Sequence, residues 1–596
     1  MDARQGLGAL ARITRMCFDY PRRAGLAFAA TVVAVVLQLS IPVILGRAID
    51  VTQSVADSTP NIRSLTIVAM MLLAASVLRG LFTLVQNYSA ESLGHALAQD
   101  IRNTVYAKIQ SLPYSFHDRT HSGDLITVGM LDLEGVRMYF STALVRTLYL
   151  ALLIGIGAWL LLSTNVPLAL LALSFVPFAA WRSTAMRVVL RRTWLILQEK
   201  MGVLSQVMEE NLAGIRVVRA FAAKDHEMAK FDKASKVALD LSHQRIDVRV
   251  VNTSMMTMAF LTAMALVLLY GGRLVAQGEI TVGTLATFLT FMTLLQMPVR
   301  QLGMMVNAYA RASTCGARLF ELLDMPHEIE DAPDATDLKL TDGTLRLENV
   351  GFGYAGSGQQ ALTGISFEAK RGETVGIIGP PGSGKTTLMH LIPRFYDVNE
   401  GSVTIDGQDI RDVTLSSVRQ AVAVVQQDSF LFTTTIENNI AYAAPMAKDK
   451  RIHGVAESAQ LHDYVLGLPS KYRTIVGERG VSLSGGQRQR LSIARTLMQE
   501  PAVLIFDDST AAIDAGTESR IRNALREYAK DRVTLIVAHR LASLIHADRI
   551  LFIDHGQIVE SGTHAELLSM GGRYAALHAL QMRPGTDALD DTRSAQ

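Results

Sequence analysis

Thr374-Val375-Gly376-Ile377-Ile378 runs directly into Gly379-Pro380-Pro381-Gly382-Ser383-Gly384-Lys385-Thr386, and a helical run starts at Thr387. A chance glycine-rich turn could match the octet alone, but the strand before it and the helix after it are the context that a phosphate-binding loop requires. Gly379, Gly382 and Gly384 let the backbone aim N–H groups at phosphate oxygens, and the helix start adds positive potential. Lys385 is placed to reach the β and γ phosphates, and the Thr386 hydroxyl to hold Mg²⁺. Ser383 and Thr387 complete the expected phosphate-side set.

Outward from this loop, short β-rich runs at 345–350, 374–378, 421–425, 503–506, 534–538 and 550–553 alternate with helical segments. This pattern predicts a P-loop α/β domain with a mostly parallel sheet. The run Ala502–Phe506 ends in Asp507 and Asp508, an acid pair at a strand's carboxyl edge. Acids often end strands for solubility alone, yet with a P-loop upstream Asp507 reads as a second ligand of the nucleotide's Mg²⁺. Leu483-Ser484-Gly485-Gly486-Gln487 opens the basic helical run 488–496 and forms a second anion cradle, or else an ordinary capped helix start. One domain has little use for two cradles unless the second serves a nucleotide held by another subunit.

The N-terminal half is of another kind. Apolar runs of about 20 residues, enough to cross a bilayer, occur near 24–45, 65–85, 142–162, 166–181, 251–270 and 282–299. The fourth is short and contains Pro177. Arg12, Arg15, Arg22 and Arg23 precede the first run, whereas 51–62 has no Lys or Arg, which predicts cytosolic termini. The long connections 91–139 and 182–249 then lie in the cytosol and read as helical extensions of the spans. A linker rich in Asp, Pro and Thr follows at 324–342, and the polar tail from Arg583 reads as disordered. With 596 residues, 49% of them apolar, and a net charge of only +2, the chain carries no basic field of the kind that marks nucleic-acid binders. Its two cysteines, Cys17 and Cys315, rule out a disulfide framework or a cysteine-built metal site and are expected to face the reducing cytosol. The stretch before Ala24 lacks the pattern of a removable signal peptide.

The Ser484–Gln487 segment resembles the signature of the ATP-binding cassette (ABC) family, and with it nearly the whole chain is similar to ABC exporter half-transporters. The resemblance implies a membrane domain at 1–323 with six spanning helices and two cytosolic coupling loops, a linker at 324–344 and a nucleotide-binding domain at 345–582. It also implies ATP and Mg²⁺ as cofactors. Tyr354 matches the aromatic that stacks on adenine. Gln427 matches the glutamine that senses Mg²⁺ and the attacking water, and His539 the histidine at the γ-phosphate. Gly477–Gly480 looks like the segment that contacts the membrane helices, and Ala511–Asp514 like the loop that crosses between domains. Coupling helices are expected at Ser115–His121 and Glu210–Val217. Ser484, Gly485, Gly486 and Gln487 are expected to bind nucleotide across the dimer, with Asp508, His539 and Gln427 as the catalytic set.

One position departs from the family. Where glutamate usually polarises the attacking water, this chain has Asp508, one methylene shorter. A misplacement of about 1 Å can cost about 10²-fold in rate, so slow hydrolysis is expected at this chain's own site. The matching partner is a different half-transporter that carries glutamate; the alternative is a conservative change in a homodimer. The implied activity is ATP-driven transport of a hydrophobic or amphipathic compound (lipid, drug-like or siderophore-like) across a bacterial inner or plasma membrane. An importer on the same scaffold and a nucleotide-regulated protein without transport remain as alternatives. Arg79, Arg146 and Arg300, with Gln38, Gln86, Asn87 and Gln296, lie in or at the ends of spans. They line a cavity for anionic amphiphiles, or else they snorkel or pair between helices. The methionines of spans five and six read as ordinary packing or as an adaptable surface.

Overall fold

The computed structural model describes residues 3–57, 62–427, 429–477, 483–507, 521 and 528–581. The chain divides into two compact units, residues 1–110 with 122–325, and residues 111–121 with 326–596.

Among the described residues of the first unit, six helices are long and apolar enough to cross a membrane: Pro21–Gln53, Arg63–Ser111, Ser122–Thr164, Val166–Ala213, Lys224–Ala276 and Val282–Gln301. They contain all six apolar runs of the sequence. At 1.5 Å per residue the 53-residue fifth helix is about 80 Å long, far more than the ~30 Å of a hydrocarbon core. The fourth span breaks at Ser174, ahead of Pro177, which then sits in a first helical turn where its missing N–H costs little. Two stretches of the third span, Thr127–Asp132 and Tyr139–Leu144, are wound as π-helix. The core between spans is built from Leu39, Leu153, Leu168, Val267, Phe288 and Phe291. Spans one and six touch backbone to backbone, because a Cβ on Gly283 would stand 2.0 Å from the Gly46 carbonyl oxygen. Asp50 fastens the same place, accepting from the Gly283 N–H at 2.7 Å and the Thr281 hydroxyl at 2.8 Å.

The second unit holds two sheets. Strands β1 (Leu345–Phe352), β2 (Leu362–Ala369), β4 (Glu400–Ile405) and β5 (Gln408–Asp409) pair antiparallel in the order β2-β1-β4-β5. Strands β3 (Thr374–Ile378), β6 (Val422–Val425), β7 (Val503–Asp507), β8 (Val533–Val537), β9 (Arg549–Asp554) and β10 (Gln557–Gly562) form the second, ordered β10-β9-β3-β8-β7-β6. It is parallel from β9 to β6, and β10 is antiparallel to β9. Its apolar runs are buried on both faces, as parallel strands require. One core cluster joins the two sheets around Leu345, Val375 and Leu388. Another packs helices on the far side of β6 and β7 around Val425, Leu491 and Leu504.

Candidate functional site

The parallel sheet presents its carboxyl edge as one row. The loop Gly379–Gly384 leaves β3, His539 follows β8, Asp507 ends β7, and Gln427 follows β6. Since β8 lies between β3 and β7, His539 belongs between the phosphate loop and the acid strand; Asp507 pairs with Val537 across that register. Ligands of open α/β sheets bind at this edge.

The loop holds its shape through Gly382 (φ +77°) and Gly384 (φ +98°). A Cβ on Gly384 would come within 2.7 Å of the Ala361 carbonyl oxygen, whereas one on Gly382 would meet open space. The helix begins at Lys385, two residues before its expected start. Lys385 is buried, and its Nζ donates to the Gly379 carbonyl at 3.0 Å, the Pro380 carbonyl at 2.8 Å and Ser383 Oγ at 3.4 Å. The loop's own oxygens thus hold the cation over the cradle, as phosphate oxygens can. Thr386 faces solvent beside it, and Thr387 is buried. Asp507 is 8% exposed, and its charge acts on His390 of the helix Lys385–Leu391, so strand end and phosphate loop are neighbours. Burial lowers the His390 pKa, and the charges of Asp507 and Asp118 oppose that shift. A threonine hydroxyl, a carboxylate and a glutamine carbonyl along this edge are the hard oxygen donors that suit Mg²⁺.

Tyr354 stands at the end of β1 with its hydroxyl 3.1 Å from Thr387 Oγ1 and its ring edge-on to Phe352 and Tyr396, at 5.0 and 5.4 Å. The ring remains 37% exposed, leaving a face for stacking. Gln427 and His539 are exposed, and the His539 carbonyl accepts from Gln581 Nε2 at 2.9 Å. Ser484 caps the helix Gly485–Leu497 in a closed box: Gln487 N–H donates to Ser484 Oγ at 3.3 Å, and Ser484 N–H to Gln487 Oε1 at 2.8 Å. The capped-start reading of this segment is therefore realised in the structure, and both side chains are engaged within their own chain. Gly485 and Gly486 form the first turn. Asp508, Glu478–Gly480 and Ala511–Asp514 lie outside the described residues.

Sequence reasoning missed one group. Residues 111–121 belong to the nucleotide-binding unit, and their helix Tyr114–Arg119 docks there. Tyr114 stacks on Phe395 at 4.2 Å and 16°, the Tyr396 hydroxyl donates to Asp118, and Ser115 donates to Glu328 at 2.7 Å. Burial and the Asp118 charge push the Tyr396 phenol above its ordinary range, so it stays a donor. Tyr396 thereby touches both Tyr354 and the docked helix. Tyr114 and Asp118 stand four apart, on one helical face, and that spacing was the available signal. The second expected segment, Glu210–Val217, is not one helix: residues 210–213 end the helix Phe175–Ala213, and after Gly214 a short helix runs from Ile215 to Ala220. Of the polar span residues, Gln38, Arg79, Gln86, Asn87 and Arg146 line one pocket of about 350 Å³, Arg300 lines a larger cavity, and Gln296 lines neither.

Comparison with known proteins agrees with this architecture. The ABC transporter transmembrane region matches residues 24–299, and the ABC transporter domain matches 362–511. The chain is 35% identical to the uncharacterized ABC transporter ATP-binding protein YknU of Bacillus subtilis, over 87% of this chain and 88% of that one. It is 30% identical to the ATP-dependent lipid A-core flippase of Syntrophus aciditrophicus, over 98% and 96%. A solved bacterial Atm1-family ABC exporter with ATP bound superposes with a TM-score of 0.77 at 29% identity, covering 94% of this chain and 99% of that one. The chain is a multi-pass membrane protein with an ATP-binding domain whose hydrolysis is coupled to transport, and it belongs to the ABC transporter family as an exporter-type half-transporter.

Proposed function

We propose that this chain pairs with a second half-transporter and exports an amphipathic compound. ATP and Mg²⁺ would clamp two nucleotide-binding units across paired phosphate loops and signature segments, with both termini cytosolic in a bacterial inner or plasma membrane. The observation that carries this reading is the capped helix start at Ser484–Gln487, whose N-terminus also suits an anion. Ser484–Gln487 opens a helix packed in the cluster around Leu491, apart from the cluster that seats the phosphate loop, so it suits a nucleotide held by another subunit. Two further observations support a missing partner. The second span buries only 6% of its most apolar window, against 39% for the first and sixth. The tip around Ile215–Ala220 exposes Leu212, Val217 and Phe221 to 60% or more. In the site itself, Lys385 and the loop N–H groups bind the β and γ phosphates, Tyr354 stacks on the base, and Thr386, Asp507 and Gln427 hold the metal. His539 steadies the γ-phosphate, and Asp508 orients water less well than glutamate does.

Because of Asp508, the partner is a different subunit with glutamate at that position. The test is ATPase activity of the purified chain alone, of the co-expressed pair, and of each with Asp508→Glu. Turnover should appear only on co-expression and rise modestly with Asp508→Glu. Vigorous activity from the chain alone, abolished by Asp508→Asn, refutes the heterodimer.

A further inference from the structure

The larger cavity of the membrane unit encloses about 1020 Å³, and its lining is charged in one sense. Arg191, Arg245, Arg249, Arg300, Arg311 and Arg318 line it, and Asp132 is the only carboxylate among the described lining residues, for a formal charge of +5. Three of these arginines have evident contacts. Arg318 Nη2 donates to Asp132 Oδ1 at 2.5 Å, Arg300 Nη2 to Thr257 Oγ1 at 2.6 Å, and the Arg245 guanidinium lies 4.5 Å from the centre of the Trp194 ring. Arg191, Arg249 and Arg311 add charge with no carboxylate of the lining to balance it. Gathered around one cavity, such a surplus gives it a positive potential that attracts anions.

Two acceptors refine the ligand's chemistry. Asp132 is 3% exposed and Asn252 8%, yet Asp132 Oδ2 and Asn252 Oδ1 receive no N–H or O–H donor among the described residues, although the weakly donating Cys315 thiol bonds the Asp132 carboxylate. Both residues line the same cavity, so a ligand that satisfies them brings donors as well as negative charge. Leu131, Met186, Leu190 and Met256 supply apolar wall, adaptable where it is methionine. We infer that this cavity binds an anionic amphiphile whose headgroup carries phosphate or carboxylate together with hydroxyl or ammonium donors. This names the substrate class of the export reading and rests on it.

Trp194 lies in the cavity wall and reports on occupancy. The full-length chain, with any co-expressed partner, carries Trp159→Phe and Trp181→Phe and is placed in phosphatidylcholine nanodiscs without nucleotide. Brominated phosphatidylglycerol is then titrated against brominated phosphatidylcholine, and citrate serves as the soluble anion. Half-maximal quenching of Trp194 is expected at a mole fraction at least tenfold lower for phosphatidylglycerol. Arg249→Gln with Arg311→Gln should erase that preference, while Lys233→Gln, on the same long helix as Arg249, should keep it. A citrate response without phosphatidylglycerol preference, lost in the same double variant, supports the site with a soluble ligand as its source. Equal quenching by both lipids with no citrate response overturns the inference, as does a preference that survives the double variant. ATP binding of the double variant checks that it folds. Lys385-dependent ATPase of the same preparation tests the export reading separately, so either can fail alone.

Discussion

Replacing Tyr396 by phenylalanine removes one hydroxyl and leaves the ring, which makes it the sharpest probe of how residues 111–121 are held. The ring's contacts with Phe352 at 5.5 Å and Tyr354 at 5.4 Å survive, so the adenine side should be unaffected. What is lost is the hydrogen bond to the Asp118 carboxylate. Bonds to charged groups contribute about 1.5–3 kcal/mol, but Asp118 is exposed and its partner's loss can be made good by water. The expected loss is therefore about 1 kcal/mol, roughly fivefold in the local opening equilibrium. The Tyr114–Phe395 stack and the Ser115–Glu328 bond remain, so the segment should loosen without detaching. Amide hydrogen exchange of Phe116, His117 and Thr120, whose N–H groups bond inside the segment, reads this directly. Protection there should fall roughly fivefold, while ATP affinity stays unchanged. Asp118→Ala should cost a similar amount, and the double variant little more. Unchanged protection in Tyr396→Phe, or fully additive losses in the double variant, would refute the reasoning.

Lys385→Ala should weaken ATP binding by more than tenfold in equilibrium dialysis, since its charge-assisted bonds to phosphate are worth at least about 1.5 kcal/mol; equal affinity rejects the assignment. Ser484→Arg should abolish most turnover of the assembled pair, whereas Ser484→Gly should cost the helix cap only a few tenths of a kcal/mol in melting experiments. Near-normal ATPase in the arginine variant removes the idea of a trans site. Asp406 is pushed upward by burial, but N–H donors from Thr341, Gly343 and Thr344 outweigh this and hold its carboxyl below the ordinary range. A depressed folded-state pKa means that its stabilisation is complete above the unfolded value of about 3.9 and is lost as pH falls below it. Exchange protection of β1, corrected for intrinsic rates, should fall on acidification in this window, and Asp406→Asn should remove that component of the fall.

The legible parts of the chain were those with a single dominant physical requirement. Six apolar runs could be counted because a bilayer demands continuous apolarity, and β3, β6, β7 and β8 because parallel strands are buried on both faces. β5, only two residues long, was missed, and so were β2, β4 and β10. Each of the latter three interleaves Gly, Ser, Thr or Glu with its apolar residues, as half-exposed antiparallel strands do, so no continuous run marks them. The phosphate loop was readable because its glycines and lysine are consecutive in sequence. The contact of Tyr396 with Asp118 spans 278 positions; the spacing of Tyr114 and Asp118 marks a docking face, but nothing local names Tyr396 as its partner. The arginine surplus of the cavity was invisible for a similar reason: Arg191, Arg245, Arg249, Arg311 and Arg318 lie beyond the apolar runs of three long helices, where basic residues are ordinary until the fold gathers them.

The π-wound stretches of the third span carry a consequence for chain length. A π turn accommodates one residue more than the α-helix around it, which is how a single inserted codon enters a helix without breaking its hydrogen bonding. At about 100° per residue, removing one residue from Thr127–Asp132 turns only the short segment Ser122–Ile126, which has no buried side chain, against the rest of the span. The same deletion inside Val145–Thr164 would swing Leu150, Leu153 and Leu161 out of the core. Gaps in alignments of this span should therefore collect at Thr127–Asp132, and a one-residue deletion there should be survivable where one beyond the buried Leu133 and Val136 is not.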